Sequence, residues 1–218
     1  MIRESRYGLT GVGVHYVLLI GAWVAAWRAS EAIGLAARSS SAQFIYWTLA
    51  KLLIWIAPIL LLIKFSRRRS IAEYLWMKDA PGGLRTGVVF GLVFAGLSLT
   101  VDLLTKRFGL PSIGPPLLNV LVVAPLFEEV VFRGFFLTAL QASGMPFTTS
   151  NVAAALMFLG MHIPGWYFVG SAKLSQGLAA LGILLIGLVA GYARRTSGSL
   201  WGSVSFHFMN NLYSLFVH

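Results

Sequence analysis

The sequence lacks several residue types and motifs on which common catalytic sites depend. None of its 218 residues is cysteine, which excludes disulfides, thiol catalysis and thiolate metal ligands. Its only aspartates are Asp79 and Asp102, and Asp79 lies in a polar stretch, so a paired-aspartate intramembrane protease is excluded. It contains neither His-Glu-x-x-His nor Gly-x-Ser-x-Gly, so a zincin-type metalloprotease and a rhomboid-like Ser–His dyad are both unsupported.

Charge is also scarce, because charged residues make up 11% of the chain and hydrophobic residues 57%. A soluble domain of this length cannot bury so much apolar surface, so the composition indicates a polytopic membrane protein. The net charge of +10 lies mostly between apolar segments, which predicts membrane topology and contact with anionic lipid and no nucleic-acid binding. The first apolar stretch lacks a small-residue cleavage site and predicts a retained helix instead of a removed signal peptide.

Seven apolar stretches approach the length of about 20 residues that a bilayer core requires. They predict an all-α, polytopic transmembrane helix bundle of about seven helices, forming a single integral-membrane domain over residues 1–218. The longest polar connection, residues 64–84, contains a predicted short surface helix in SIAEYLWM. The seven stretches are residues 9–27, 44–63, 85–104, 117–142, 151–169, 176–193 and 198–217.

The distribution of lysine and arginine between the loops predicts the orientation. With the N-terminus in the cytoplasm, the inside segments hold ten of these residues and the outside segments five. We therefore expect an integral protein of a bacterial or archaeal cytoplasmic membrane, with its N-terminus in the cytoplasm and its C-terminus outside. The inside residues are Arg3, Arg6, Lys64, Arg67, Arg68, Arg69, Lys78, Arg85, Arg194 and Arg195, and the outside ones are Arg28, Arg38, Lys106, Arg107 and Lys173.

Two Gly-x-x-x-Gly spacings, Gly87–Gly91 and Gly187–Gly191, allow helices to approach closely. We interpret them as packing within one chain and not as a dimer interface. Other polar residues inside apolar stretches are predicted to be packing or interfacial residues. This group includes His15, Asp102 and Lys51, whose side chain is expected to extend to the near interface.

Three charges lie inside the fourth apolar stretch, where one charge at a helix centre costs about 2.5–3.5 kcal/mol. Arg133 follows Glu129 by four residues, so the two share a helix face and are expected to pair. Glu128 lies about 100° further round the helix and is left without the arginine. A buried glutamate of this kind is a candidate general base, although all three residues could instead hold helices together.

Two histidines in later stretches complete a candidate site. His162 precedes Pro164, which withholds an N–H from Gly160 and is expected to end or kink the helix just past the histidine. His207 and Asn211 are four residues apart and share a helix face. A glutamate with a histidine can deprotonate water, and a second histidine with an asparagine can stabilise an oxyanion. Alternatively, one glutamate and two histidines can bind zinc.

The motifs EEVVFRG, FLGMH and SLWGSVSFHFMNN, in this order, resemble those of the CPBP or Abi family. This family includes CAAX prenyl-endopeptidases, bacteriocin-processing proteins and abortive-infection-type membrane proteins. The resemblance covers residues 117–217, which would carry the catalytic core, whereas the first half is similar only in being a set of apolar helices. It implies an intramembrane glutamic endopeptidase that hydrolyses a peptide bond in or near a membrane-associated segment, without metal or cofactor.

The resemblance also implies a role for individual residues. Glu128 would be the general base and His162 would position the water, while His207 and Asn211 would form the oxyanion site. Glu129 and Arg133 would form a structural ion pair, and Phe158 and Trp201 would support the motifs. The expected partners are the lipid bilayer and a membrane-anchored or lipid-associated protein or peptide substrate. The alternatives are a non-catalytic membrane immunity or scaffold protein of the same fold and a metal-dependent membrane peptidase.

Overall fold

The computed structural model describes residues 8–65, 70–105, 108–110, 114–170 and 175–217, and its regular structure within those ranges is helical. The seven predicted stretches coincide with helices α1, α2 and α4–α8, and the short helix α3 lies in SIAEYLWM, as predicted. The described helices are α1 (Leu9–Ala32), α2 (Ser40–Phe65), α3 (Ile71–Tyr74), α4 (Ala80–Thr105), α5 (115–142), α6 (Phe147–Phe168), α7 (Ser175–Ser197) and α8 (Leu200–Ser214).

Four of the described helices contain stretches long and apolar enough to cross a membrane: Leu9–Ala32, Ser40–Phe65, Ala80–Thr100 and Ala179–Ser197. Large apolar side chains on their outer faces are exposed, for example Val17 on α1 at 68% and Leu97 on α4 at 69%. Such surfaces suit contact with lipid tails. The protein is therefore a membrane protein, and α5, α6 and α8, which carry the polar residues of interest, are not among these four helices.

Small residues set the packing between α4 and α8 and between α6 and α7. A Cβ atom at Gly87 would overlap Ser205, and one at Gly91 would overlap Met209, both on α8. On α7, Gly187 faces Ala155 and Gly191 faces Asn151, both on α6. The two Gly-x-x-x-Gly spacings thus serve helix packing within the chain, as the sequence analysis predicts.

Two of the helices contain π-helical turns, in which i→i+5 hydrogen bonding adds one residue to the turn. One such segment, Leu52–Ile56, lies in α2, and two, Asn119–Val123 and Val130–Phe136, lie in α5. The segment in α2 follows Lys51 directly, and the second one in α5 follows Glu129 directly. Wide turns of this kind are frequent at functional sites, and here they flank the charged residues of the bundle interior.

An aromatic core joins the second half of α5 to α1. Phe132 and Phe136 are completely buried, and the ring of Tyr16 packs edge-on against Phe136. The His15 ring lies 5.2 Å from the ring of Phe135 and 5.6 Å from that of Phe136, so it is a packing histidine as predicted. These contacts fix α5 against α1 and thereby determine where the charges of α5 are placed.

Pro164 is predicted to end or kink the helix just past His162, and the predicted end is wrong, since α6 continues to Phe168. Proline removes one backbone hydrogen bond, and neighbouring helices commonly compensate for this loss in membrane proteins. Here α1 packs along the same part of α6. Its Tyr16 contacts Gly160 and donates a hydrogen bond of 2.8 Å to the Met157 carbonyl, and its Trp27 packs on Gly165. His162 therefore projects from a continuous helix.

Candidate active site

A completely buried ion pair within α5 forms the base of the site. Arg133 donates a hydrogen bond of 2.9 Å to Oε1 of Glu129, one turn earlier on the same helix, and both side chains are 0% exposed. The guanidinium also donates to the Gly187 carbonyl at 2.8 Å and lies 4.6 Å from the centre of the Phe158 ring. The predicted Glu129–Arg133 pair is thus present, and it connects α5 to α6 and α7.

His207 on α8 lies between the two glutamates. Its Nδ1 is 2.8 Å from Oε1 of Glu129, and its Nε2 is 3.8 Å from Oε2 of Glu128. Because a carboxylate only accepts hydrogen bonds, Nδ1 carries the proton that is donated to Glu129. This bond fixes the ring orientation, and Nε2 can donate to another group only when both ring nitrogens are protonated.

Glu128 is not the isolated carboxylate that the sequence analysis predicts. Its Oε1 lies 3.3 Å from Nζ of Lys51 on α2, and the two residues are 8% and 7% exposed. The prediction that Lys51 extends to the interface is therefore wrong. The helix begins at Ser40, four residues before the predicted start, which places Lys51 about 16 Å along the axis, near the middle of α2.

A cavity of about 210 Å³ lies between α1, α2, α5 and α6, and Glu128 forms part of its wall. His162 and Lys51 are the other charged or titratable residues that line it, in the part of the chain that the structure describes. The remaining lining is aromatic or apolar, as is usual for pockets that bind small molecules. The lining residues are Trp23, Trp27, Lys51, Trp55, Glu128, Phe132, Phe158, Met161, His162, Gly165 and Trp166.

His162 is held in one tautomer by its own helix. Its Nδ1 lies 2.9 Å from the Phe158 carbonyl, which can only accept, so Nδ1 carries a proton. In the neutral ring, Nε2 is then a hydrogen-bond acceptor. Phe158 lies between the two site histidines, with ring centres 4.8 Å from His162 and 5.8 Å from His207. Phe158 and Glu128 line the cavity, and His207 lies behind them, outside the described cavity lining.

Two predicted site residues, Asn211 and Trp201, lie further from the cavity. The Asn211 amide donates a hydrogen bond of 2.8 Å to the Val120 carbonyl in a π-helical turn of α5, and Asn210 donates to Oδ1 of Asn211 at 3.2 Å. Trp201 lies in the first turn of α8 and packs against Gly83 on α4. Within the described residues, neither Asn211 nor Trp201 lines the cavity.

The polar loop before α4 fixes the start of α8. Ser199 caps this helix, accepting a hydrogen bond of 3.3 Å from the Trp201 N–H, and its hydroxyl donates to the Lys78 carbonyl. Nearby, Arg194 at the end of α7 donates to Thr138 at 2.7 Å and lies over the Trp76 ring. These contacts fix where α8 begins relative to α4 and α7, and hence the position of His207. The described residues include no group of three or more His, Cys, Asp or Glu arranged to hold a metal ion.

Comparison with known proteins relates the second half of the chain to one family. A family model described as type II CAAX prenyl endopeptidase Rce1-like matches residues 111–213, which hold nearly all of α5 to α8. An uncharacterized 24.3 kDa protein of Escherichia coli is 29% identical over 158 residues, which make up 70% of this chain and 66%, just under two thirds, of that protein. No solved structure matches the chain.

At the level of the family, the match supports a CAAX-protease-like membrane endopeptidase. The matched range contains all three of the motifs that suggest the resemblance, from the glutamate pair to Asn211. Residues 111–213 are thus an Rce1-like region, and over that range the resemblance to the CPBP family is confirmed.

Proposed function

We propose that this protein is a glutamic intramembrane endopeptidase that hydrolyses a peptide bond with water activated by Glu128. The observation that carries the proposal is the position of Glu128, a buried carboxylate at the wall of an aromatic-lined cavity that it shares with His162. A carboxylate and a neutral imidazole are both hydrogen-bond acceptors, so together they can hold a water molecule through its two hydrogens.

In this mechanism Glu128 removes one proton from the water while Nε2 of His162 accepts a hydrogen bond from the other. The hydroxide attacks the carbonyl carbon of the scissile peptide bond and gives a tetrahedral oxyanion. The C–N bond then breaks, and the nitrogen takes up a proton. The products are a carboxylic acid and an amine, and the acid then loses its proton to water. Neither a covalent enzyme intermediate nor a metal ion takes part.

His207 and Asn211 are the proposed oxyanion donors. For this role His207 has to be protonated on both nitrogens, because its Nδ1 proton is held by Glu129 at 2.8 Å. Asn211 donates one amide hydrogen to Val120 and retains a second for a substrate oxygen. The Glu129–Arg133 pair supports this arrangement, since Glu129 holds the His207 ring and Arg133 packs on the Phe158 ring.

The proposed substrate is a membrane-anchored or lipid-associated protein or peptide. The cavity is bounded by four tryptophans and lies between helices whose outer faces are apolar, so a substrate that already lies in the bilayer reaches it most directly. We further propose that the protein lies in the cytoplasmic membrane of a bacterium or archaeon, with its N-terminus in the cytoplasm and its C-terminus outside. Part of the charge count behind this orientation falls on residues outside the described ranges, namely Arg3, Arg6, Arg67, Arg68, Arg69, Lys106, Arg107 and Lys173.

The test is terminal-peptide mass spectrometry on membranes from cells that carry either the wild-type protein or Glu128→Gln. The amide keeps the shape of the side chain but cannot act as a base. We expect a small set of membrane-protein termini to appear with the wild type and to be absent with Glu128→Gln. These peptides identify both the substrate and the cut site.

Glu31→Gln is the matched control, because Glu31 is a half-exposed glutamate at the end of α1 whose ion-pair partner among the described residues is Arg28 on its own helix. It undergoes the same chemical change outside the cavity and should give the wild-type set of termini. If Glu128→Gln, present at normal level in the membrane, also gives the wild-type set, Glu128 is not the base and the proposal fails.

A second candidate function, a non-catalytic membrane immunity or scaffold protein, is favoured by the pairing of Glu128 with Lys51. A fully paired carboxylate can serve helix packing alone. This candidate predicts full biological function after Glu128, His162 and His207 are all replaced by residues of similar size. The endopeptidase predicts that the same triple variant is inactive.

A further inference from the structure

Among the described residues, two glutamates form buried ion pairs with a lysine or an arginine, and the two pairs differ in their surroundings. In the Arg133–Glu129 pair both side chains are 0% exposed, the guanidinium has a further backbone acceptor, and neither residue lines the cavity. In the Lys51–Glu128 pair both residues line the cavity. The first pair has the environment of a structural link, whereas the second is positioned to contact whatever enters the cavity.

Lys51 is held at the cavity wall by its own helix. Its Nζ lies 5.2 Å from the centre of the Trp55 ring, four residues later, and Trp55 belongs to the π-helical turn that follows Lys51. Both side chains therefore face the cavity from α2. Among the described residues, Lys51 is the only lysine or arginine in the cavity lining. An ionisable residue at such a position in a membrane helix is a candidate functional residue.

The hydrolysis proposed above leaves one proton transfer unassigned, which is the protonation of the departing nitrogen. An amide nitrogen leaves as an amine only if it gains a proton, so the site needs an acid on the cavity side. His162 donates its Nδ1 proton to the Phe158 carbonyl, so its Nε2 faces the site as an acceptor. The ammonium group of Lys51 has three protons, of which one lies toward Glu128.

We propose that Lys51 is the general acid of the reaction, a catalytic residue that acts together with Glu128; this assignment rests on the proposed function. Glu128 takes a proton from water, and the hydroxide adds to the carbonyl carbon. As the C–N bond breaks, its electron pair goes to the nitrogen, which takes a proton from Nζ of Lys51. This leaves a neutral lysine beside a protonated Glu128.

The same pair then restores the starting state. The proton on Oε1 of Glu128 passes to Nζ of Lys51 across the 3.3 Å that separates the two atoms, a distance that can shorten when a substrate is bound. One proton has moved from water to the leaving amine, and both side chains regain their charges. No oxidant, metal ion or further reactant is required.

An amide and an ester distinguish this role from a structural one. The probes are a synthetic peptide that spans the cut site identified by terminal-peptide mass spectrometry and its depsipeptide analogue, in which the scissile amide is an ester. An alkoxide leaves far more readily than an amide nitrogen and depends much less on an acid. The variants are Lys51→Met, Lys51→Arg and Glu128→Gln, with Lys64→Met, an exposed lysine at the end of the same helix, as control.

We expect Lys51→Met and Lys51→Arg to cut the peptide at least about 100-fold more slowly than the wild type, the usual effect of losing an acid or base catalyst. They should hydrolyse the ester within about 5-fold of the wild-type kcat, since Glu128 still activates water. Lys64→Met should match the wild type on both probes. Arginine keeps the charge but does not release a proton, so its failure on the peptide excludes a purely electrostatic role.

Two outcomes would overturn the assignment: cleavage of the peptide at the wild-type rate by either Lys51 variant, or an equal fall of the amide and ester rates. If Lys51→Met does not fold in a thermal unfolding assay, Lys51→Arg decides the question, because it retains a cation beside Glu128. If Glu128→Gln loses both peptide and ester hydrolysis while the Lys51 variants keep both, only the lysine assignment is refuted. Cleavage by Glu128→Gln removes the proposed function, and the lysine assignment with it.

Discussion

Replacing Arg133 by methionine provides the sharpest test of how the site is supported. The change leaves Glu129 charged and completely buried, with the His207 ring as its remaining partner, and it removes the donor to the Gly187 carbonyl. Breaking a buried ion pair by removing one partner costs about 3–5 kcal/mol. Because domains are typically stable by only about 5–15 kcal/mol, we expect a large fall in the free energy of unfolding.

The measurement is the free energy of unfolding in mild detergent, obtained by titration with a denaturing detergent and followed by tryptophan fluorescence. The matched control is Arg28→Met, which breaks the Arg28–Glu31 pair, whose side chains are 64% and 50% exposed. An exposed pair contributes about 0–1 kcal/mol, so this control should unfold almost as the wild type does. The comparison holds the type of pair constant, because both changes remove an arginine from a same-helix pair with glutamate; the two pairs differ in burial and in the hydrogen bond to Gly187.

The double variant Glu129→Gln with Arg133→Met should recover at least about 2 kcal/mol relative to Arg133→Met alone, because no buried charge is then left uncompensated. A glutamine at this position can still accept from Nδ1 of His207. If Arg133→Met lowers the free energy of unfolding by less than about 1 kcal/mol, or if the double variant is simply additive, the pair is not the support described here.

Two further predictions concern packing and metal dependence. Gly91→Leu should lower the free energy of unfolding by about 1–3 kcal/mol, since the added side chain meets Met209 on α8, whereas Gly96→Leu, on the same helix with open space around it, should have little effect in the same titration. Cleavage of the cut-site peptide should be unchanged after treatment with EDTA followed by gel filtration, because in the proposed mechanism Glu128 activates the water without a metal ion. Loss of activity that zinc restores would support the metal-dependent peptidase instead.

The sequence predicts those features that depend on local spacing. Hydropathy identifies all seven long helices, of which four in the described part of the chain contain stretches long and apolar enough to cross a bilayer. The Glu129–Arg133 pair follows from four-residue spacing on one helix, and the glycine spacings predict close helix contacts. In each of these cases the interacting residues belong to one helix, or the feature depends on composition alone.

Features that depend on how the helices are arranged in space are not predicted. Lys51 and Glu128 are 77 residues apart, and nothing in the spacing of either residue indicates the other. A lysine near the middle of a 26-residue apolar helix is the one signal that could have indicated an internal partner. The predicted start of this helix is four residues too late, which places Lys51 nearer to its end and hides the signal. The placement of Asn211 on Val120 depends in the same way on two helices meeting.

The same-helix pair in α5 also has a consequence for how the protein is made. Ribosomes synthesise the chain from its N-terminus, so α5 enters the membrane before α7 and α8, which provide the Gly187 carbonyl and His207, have left the ribosome. At that moment Glu129 and Arg133 can neutralise each other because both lie on the inserting segment. Lys51, already in place on α2, is available to Glu128. Every charge of α5 thus has a possible partner at the time of insertion, and the contacts with α7 and α8 are added afterwards.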